Sequence, residues 1–147
     1  MKINKTEEYS IRLVVALAKH GGPMTLPMLA EAEHLTEALV AKTMGRLKKG
    51  GIIKVSRGRI GGYELVHSPE SLTVAAVIRS LGKPILEGCS TINKGPAICP
   101  HSADCSLRPI WDHLQREMTE TLDRISILQL LNKERKMRQH IAALRAS

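Results

Sequence analysis

Three cysteines are the residues of this chain best suited to bind a metal. Cys89, Cys99 and Cys105 follow the spacing C-x9-C-x5-C in a stretch rich in glycine and proline. Thiolates are soft ligands that suit iron–sulfur clusters, zinc or Cu(I). Structural zinc sites usually contain close C-x2–4-C pairs, which this sequence lacks. The spacing fits a larger cluster that takes one ligand other than cysteine, and it fits three free thiols acting as a redox switch equally well.

Positive charge is concentrated in one segment of the chain. Seven bases and no acid lie between residues 42 and 59, whereas the rest of the sequence has 15 bases and 14 acids. An ordinary solvated surface mixes both signs, so this segment predicts a surface for a polyanion, most of all nucleic acid. The seven bases are Lys42, Arg46, Lys48, Lys49, Lys54, Arg57 and Arg59.

Residue periodicity predicts the elements that position this charge. Apolar residues at helical spacing, with threonines before them as caps, predict helices, and two short strand-like runs joined by a glycine-rich turn predict a hairpin. Three helices followed by a hairpin with a basic tip are typical of a winged helix-turn-helix, a mainly α fold with a small β-hairpin wing. The predicted helices span residues 6–19, 25–33, 36–49 and 73–81, and the predicted strands span residues 52–55 and 63–66.

A helix-turn-helix places its second helix in the major groove, and here that helix covers residues 36–49. Leu39 or Val40, Thr43 or Met44, and Leu47 should pack inward, so that small residues and Lys42 face the base edges. The remaining bases of this helix suit phosphates, and the two arginines of the wing suit a neighbouring minor groove. The predicted DNA-binding residues are Thr36, Glu37, Ala38, Ala41, Lys42, Arg46, Lys48, Lys49, Arg57, Arg59 and Gly61.

A long helix is predicted from Ser106, with Pro109 in its first turn, to Leu131 or beyond. Two rows of apolar residues recur at intervals of seven or fourteen and favour a coiled-coil-like seam between two copies of the chain, with an internal core helix as the alternative. A homodimer predicts an operator with inverted half-sites. We therefore expect three segments: a DNA-binding domain at residues 1–82, a cysteine-containing loop at 83–105, and a dimerisation helix with a basic tail at 106–147. The two rows are Leu107, Leu114 and Leu128, and Trp111, Met118 and Ile125.

Several motifs together resemble the Rrf2 family of bacterial transcription regulators. They are LKKGGII at residues 47–53, RGRIGGYEL at 57–65 and SPE at 68–70, and the cysteine loop agrees with them. The resemblance implies a winged helix-turn-helix homodimer that dimerises through a long C-terminal helix, and several members bind iron–sulfur clusters. Members similar to the iron–sulfur-assembly regulator carry an acidic base-reading residue where this chain has Ala41, so the operator sequence is not carried over.

The resemblance also implies a ligand set, in which Cys89, Cys99 and Cys105 hold an iron–sulfur cluster. The assembly regulator supplies a histidine where this chain has Arg108. The nitric-oxide-sensing members use a carboxylate from the first helix of the partner subunit, which matches Glu8, although Glu8 also suits the first turn of a helix on its own account. A [4Fe–4S] cluster is favoured, with [2Fe–2S] as the alternative. Other candidates for the fourth ligand are Glu7, His101, Asp104 and His113.

The sequence therefore predicts a DNA-binding regulator whose operator affinity is switched by a cluster that senses redox state, nitric oxide or iron. The alternative is a thiol-based redox or metal-handling protein without specific DNA binding. Common enzyme motifs such as G-x-S-x-G, the P-loop and H-E-x-x-H are absent. Aromatic residues make up 2% of the chain, which argues against base stacking on aromatic platforms. With three cysteines and none before residue 89, we expect a reducing cytoplasm rather than a disulfide framework.

Overall fold

The computed structural model describes residues 5–59, 61–82 and 105–146. It is mainly helical with one two-stranded antiparallel hairpin, which confirms the predicted fold class. The elements are α1 (Lys5–His20), α2 (Leu26–Glu33), α3 (Glu37–Lys49), β1 (Ile53–Ser56), β2 (Gly62–Leu65), α4 (Val74–Arg79), α5 (Arg108–Asp123) and α6 (Ile127–Ala146).

Threonine caps begin α2, α3 and α4, as the sequence predicts. The hydroxyl of Thr25 accepts from the backbone N–H of Met28, and the hydroxyl of Thr36 accepts from that of Leu39, each at 3.4 Å. Such bonds satisfy donors that the first helical turn leaves without partners. His34 takes a left-handed conformation with φ 53° at the end of α2, so the chain turns sharply into α3.

The hairpin is joined to the helices on both sides. β1 pairs with β2 from Ile53 opposite Leu65 to Ser56 opposite Gly62, one residue from the predicted strands. Met24 and Tyr63 exchange backbone hydrogen bonds of 3.0 and 2.8 Å, so the segment before α2 extends the sheet. A Cβ at Gly62 would lie 2.5 Å from the Met24 carbonyl oxygen, so only glycine fits this contact.

The core is aliphatic and centred on α1. Buried side chains of α1, such as Leu13 and Leu17, belong to a cluster with Leu29 of α2 and Leu47 of α3. Ile127 of α6 is fully buried in the same cluster. The first turns of α6 therefore complete the core of the N-terminal helices.

The single helix predicted from Ser106 to beyond Leu131 is wrong in extent, because the region contains two helices. α5 begins at Arg108 without a side-chain cap, so Ser106 does not cap it. The helix ends at Asp123, and Ser126 starts α6 with a reciprocal pair of bonds to Gln129 at 3.1 and 3.2 Å.

The break divides each of the two apolar rows of the predicted dimer seam. Ile125 packs against the core, and the backbone N–H of Leu128 donates to the Pro69 carbonyl at 2.9 Å. The alternative of an internal core helix therefore applies to the start of α6.

α5 carries the other part of the predicted seam on its surface. Within the described residues, α5 has no buried side chain. Its N-cap residue and its first half present four large apolar residues to solvent, with exposures between 40 and 54%. Among the helices described, none is long and apolar enough to cross a membrane. The four exposed residues are Leu107, Ile110, Trp111 and Leu114.

Candidate nucleic-acid interface

One face of α3 fixes the helix in the core. Val40, Met44 and Leu47 are fully buried, as their spacing predicts. Thr43 is buried as well, and its hydroxyl donates to the Leu39 carbonyl at 2.8 Å, which satisfies the polar group inside the helix. The orientation of α3 is thus set by side-chain packing, and its other face is turned outward.

The outward face of α3 has small side chains in its centre and charged side chains beside them. Ala38, Ala41 and Gly45 are exposed and leave the helix backbone open to close approach. Glu37 lies at the first turn, and Lys42 lies between the small residues. A helix of this shape can enter a major groove about 12 Å wide and bring side chains to base edges.

Six exposed bases of α3 and the wing have no carboxylate partner among the described residues. Lys54 differs from them, because it forms a 3.3 Å ion pair with Glu64 across the hairpin. Arg12 of α1 is paired as well: it contacts Glu33 at 2.8 Å, and this hydrogen bond raises the pKa of Arg12. The six without partners are Lys42, Arg46, Lys48, Lys49, Arg57 and Arg59.

The wing is held in a fixed position relative to α3. The backbone N–H of Ile52 donates to the Leu47 carbonyl, and that of Val66 donates to the Ile52 carbonyl, each at 3.0 Å. Gly51 makes the turn between helix and strand with φ 75°, a conformation that favours glycine. Helix and hairpin therefore present their bases as one unit.

The tip of the wing places two arginines in solvent. Arg57 and Arg59 are exposed in the turn after β1. Gly61 is half-buried, and a Cβ there would lie 3.1 Å from the Ser56 carbonyl oxygen, so this glycine shapes the turn. Direct contact of Gly61 with DNA stays a prediction.

The predicted cluster ligands are only partly within the described residues. Cys105 is a half-buried free thiol that precedes α5. Glu8 is exposed on α1 and lies 3.7 Å from Arg12. In the described ranges, no three histidine, cysteine or acidic residues are grouped closely enough to hold a metal ion. Cys89, Cys99, His101 and Asp104 lie outside those ranges.

A polar junction that the sequence did not predict joins α4 to α5. Asp123 accepts from Arg79 and from the hydroxyl of Thr73, which also caps α4. The motif Ser126–Ile127–Leu128–Gln129 fits the capping-box pattern, and this signal would have marked the break that forms the junction.

Comparison with known proteins assigns this arrangement to a family. A family model described as "Rrf2: Iron-dependent Transcriptional regulator" matches residues 3–133. The chain belongs to the Rrf2 family of transcriptional regulators. It is 30% identical to the HTH-type transcriptional regulator CymR of Bacillus subtilis over 125 residues, 84% of either chain.

Solved structures of family members have the same fold. T. potens IscR superposes with a TM-score of 0.69 at 26% identity, covering 91% of this chain and 88% of its own. The structure of B. subtilis CymR gives a TM-score of 0.69 at 27% identity, covering 90% of this chain and 98% of its own. These likenesses confirm the predicted winged helix, and the membership confirms a transcriptional regulator rather than an enzyme.

Proposed function

We propose that this Rrf2 regulator is a homodimer whose operator affinity depends on the state of Cys89, Cys99 and Cys105. The observation that carries the DNA-binding part is the group of exposed bases without partners on α3 and the wing. Such bases can exchange water and counterions for phosphates without first breaking a protein ion pair. The regulator would act in the cytoplasm, where the operator DNA is.

On duplex DNA, α3 and the wing would contact different parts of the double helix. The N-terminal end of α3 would meet base edges, because recognition helices enter the groove by that end. Arg46, Lys48 and Lys49 near its C-terminus would contact phosphates, which fix position but carry no sequence information. Arg57 and Arg59 would reach the adjacent minor groove.

The exposed apolar residues of α5 support dimerisation through this helix. Trp111 and Leu114 lie one turn apart and are 41% and 40% exposed. Aromatic and aliphatic side chains at this spacing form helix–helix seams. In a two-fold dimer each protomer supplies one α3, so the operator would contain inverted half-sites. We keep the division into residues 1–82, 83–105 and 106–147, with the start of α6 also packed on the first segment.

The three cysteines supply a donor set that suits an iron–sulfur cluster, [4Fe–4S] in the favoured form and [2Fe–2S] in the alternative. When bound, the cluster would supply a centre that reacts with nitric oxide or oxygen or loses iron. Cys105 would hold it next to the start of α5, and the exposed carboxylate of Glu8 would reach it from the partner subunit. The family model's description as iron-dependent supports this assignment.

A signal at the cysteines would have a direct route to the DNA-binding surface. Cys105 precedes α5, and α5 ends at Asp123, which is bonded to Arg79 of α4. α4 packs on α1, and α1 packs on α3. A change in the ligands or oxidation state of the cysteines would thus change the orientation of α5 and, with it, the spacing of the two α3 helices in a dimer.

A thiol-based signal is the second candidate. B. subtilis CymR, which has this fold, is described as the global cysteine regulator of that organism. A relative of this chain therefore has a role connected with cysteine. In this chain the signal would be reversible oxidation of the three thiols, which is proposed from thiol chemistry alone. A metal-handling protein that does not bind DNA disagrees with the family membership.

Anaerobic purification tests the cluster directly. We expect a coloured protein with iron and acid-labile sulfide, and we expect Cys99→Ala to lose both. Ser106→Ala is the control, because Ser106 is exposed beside Cys105 and is not a ligand in the proposal. A colourless wild-type protein whose operator affinity changes on thiol oxidation would favour the thiol-based signal, and equal metal content in Cys99→Ala would exclude Cys99 as a ligand.

A further inference from the structure

Glu37 is a carboxylate at the start of a helix whose other charged residues are all basic. It is the first residue of α3, the only acid of that helix, and exposed. The next acid in the sequence is Glu64, which is paired with Lys54. Glu37 has no such ion pair within the described residues, although several exposed bases lie on the same helix.

An acid at this position opposes DNA binding in general. Phosphates surround any helix in the major groove, so a carboxylate there is repelled by every DNA sequence alike. An acid in the first turn also interacts favourably with the positive end of the helix dipole. The N-terminus of α3 does not depend on Glu37 alone, however, because the Thr36 hydroxyl caps it. Glu37 lies at the leading end of α3, which is the end that meets base edges. A role in recognising the DNA sequence would offset the repulsion between its carboxylate and the phosphates.

We propose that Glu37 reads one base pair of each half-site by accepting a hydrogen bond from an exocyclic amino group. In the major groove that group is N4 of cytosine or N6 of adenine, and carboxylates accept from cytosine most commonly. Thymine and guanine present carbonyl oxygens at the corresponding edge and would repel the carboxylate. The inference rests on the proposed placement of α3 in the groove, and it adds a base-reading role to Glu37.

The base preference of variants tests this role. Wild type, Glu37→Ala and Glu37→Gln are each used to select duplexes from a randomised pool, and affinities for selected and random duplexes are measured. Glu70→Ala is the matched control, because Glu70 is exposed in the turn before α4. Circular dichroism confirms that each variant is folded.

Three results support the proposal together. Glu37→Ala should accept all four bases at one position per half-site, and Glu37→Gln should shift that position towards adenine, which glutamine reads with two bonds. Both should bind random duplexes more tightly than wild type, by roughly two- to fivefold, because one repulsive charge is removed. Glu70→Ala should retain the wild-type preference.

Two negative results are distinguishable. An unchanged preference in Glu37→Ala, with wild type still selecting a defined sequence, would overturn the role of Glu37 and leave the proposed function intact. A wild-type protein that selects no sequence would overturn the proposed function, and the role of Glu37 with it.

Discussion

The guanidinium of Arg79 donates two hydrogen bonds of 2.8 Å to the carboxylate of Asp123 and so joins the end of α4 to the end of α5. The hydroxyl of Thr73 donates to the same carboxylate at 3.1 Å. A backbone bond of 2.9 Å from Val74 to Ile125 reinforces the junction. α5, which follows Cys105 in the chain, is therefore attached to the helices that carry α3 and the wing.

This junction should contribute stability that depends on pH. The hydrogen bonds from Arg79, with a smaller contribution from Thr73, hold the pKa of Asp123 below its usual value. The stabilisation is therefore present above the ordinary carboxyl pKa of about 3.9, and it is lost as pH falls further towards the folded-state pKa. Asp123→Asn should lower the free energy of unfolding at pH 7 by roughly 0.2–1 kcal/mol, the range of exposed ion pairs.

Denaturant titrations at pH 7 and pH 3 check this difference. The gap between wild type and Asp123→Asn should be smaller at pH 3. Glu120→Gln is the control, because Glu120 forms only an exposed 3.9 Å pair with Arg124. An equal loss of stability in both variants at pH 7 would show that the bidentate geometry adds nothing.

The wing arginines should contribute phosphate or minor-groove contacts. Arg57→Ala and Arg59→Ala should each weaken operator binding and lower the magnitude of the slope of log K against log salt by about 1. Fluorescence anisotropy over a range of salt concentrations measures both quantities. Arg135→Ala removes an exposed base of α6 and should leave the slope as in wild type. Equal slopes for all these proteins would place the wing away from DNA.

Gly62 should tolerate no side chain. Because an added Cβ would lie 2.5 Å from the Met24 carbonyl oxygen, Gly62→Ala must separate β2 from the segment before α2. We expect a loss of about 1–3 kcal/mol of stability, the usual cost of overpacking. Thermal or denaturant unfolding measures it. Gly22→Ala, where a Cβ meets nothing within 4 Å, should unfold as wild type does, and equal effects of the two changes would contradict the contact.

The exposed apolar residues of α5 should hold the dimer together. Leu114→Glu places a charge in the proposed seam and should give a monomer in sedimentation velocity. Operator affinity should then fall by roughly a hundredfold or more, since the two half-sites are no longer bound by one molecule. Arg116→Glu introduces the same side chain elsewhere on α5 and should remain dimeric. A dimeric Leu114→Glu would show that α5 does not form the interface.

The helix-turn-helix and its wing could be predicted from the sequence because local signals agreed with the fold. Thr25, Thr36 and Thr73 each cap the helix that their positions predict. Gly51 takes the positive φ that the end of α3 requires. Where capping, turn residues and apolar spacing all indicate the same element, the tertiary contacts agree with the local preferences, and the sequence alone predicts the element.

No glycine or proline marks the break between α5 and α6, and the capping-box motif from Ser126 to Gln129 is its one local signal in the sequence. Ile125 and Leu128 continue the two apolar rows across the break, so a single helix satisfies the periodicity alone. The break is stabilised by distant partners: Ile125 and Ile127 bond through their backbones to Val74 and Leu72. The junction of Arg79 with Asp123 joins residues 44 positions apart, which helical spacing cannot predict.

The most direct test compares operator affinity in two states of the cysteine loop. Anaerobic anisotropy titrations would use wild type as purified and wild type after removal of iron, beside the variant with Cys89, Cys99 and Cys105 all changed to alanine. We predict that the two wild-type states differ by roughly 5- to 150-fold, the usual range of allosteric coupling, and that the alanine variant shows one affinity under both treatments. Equal affinities of the two wild-type states would contradict control of DNA binding by iron at the cysteines.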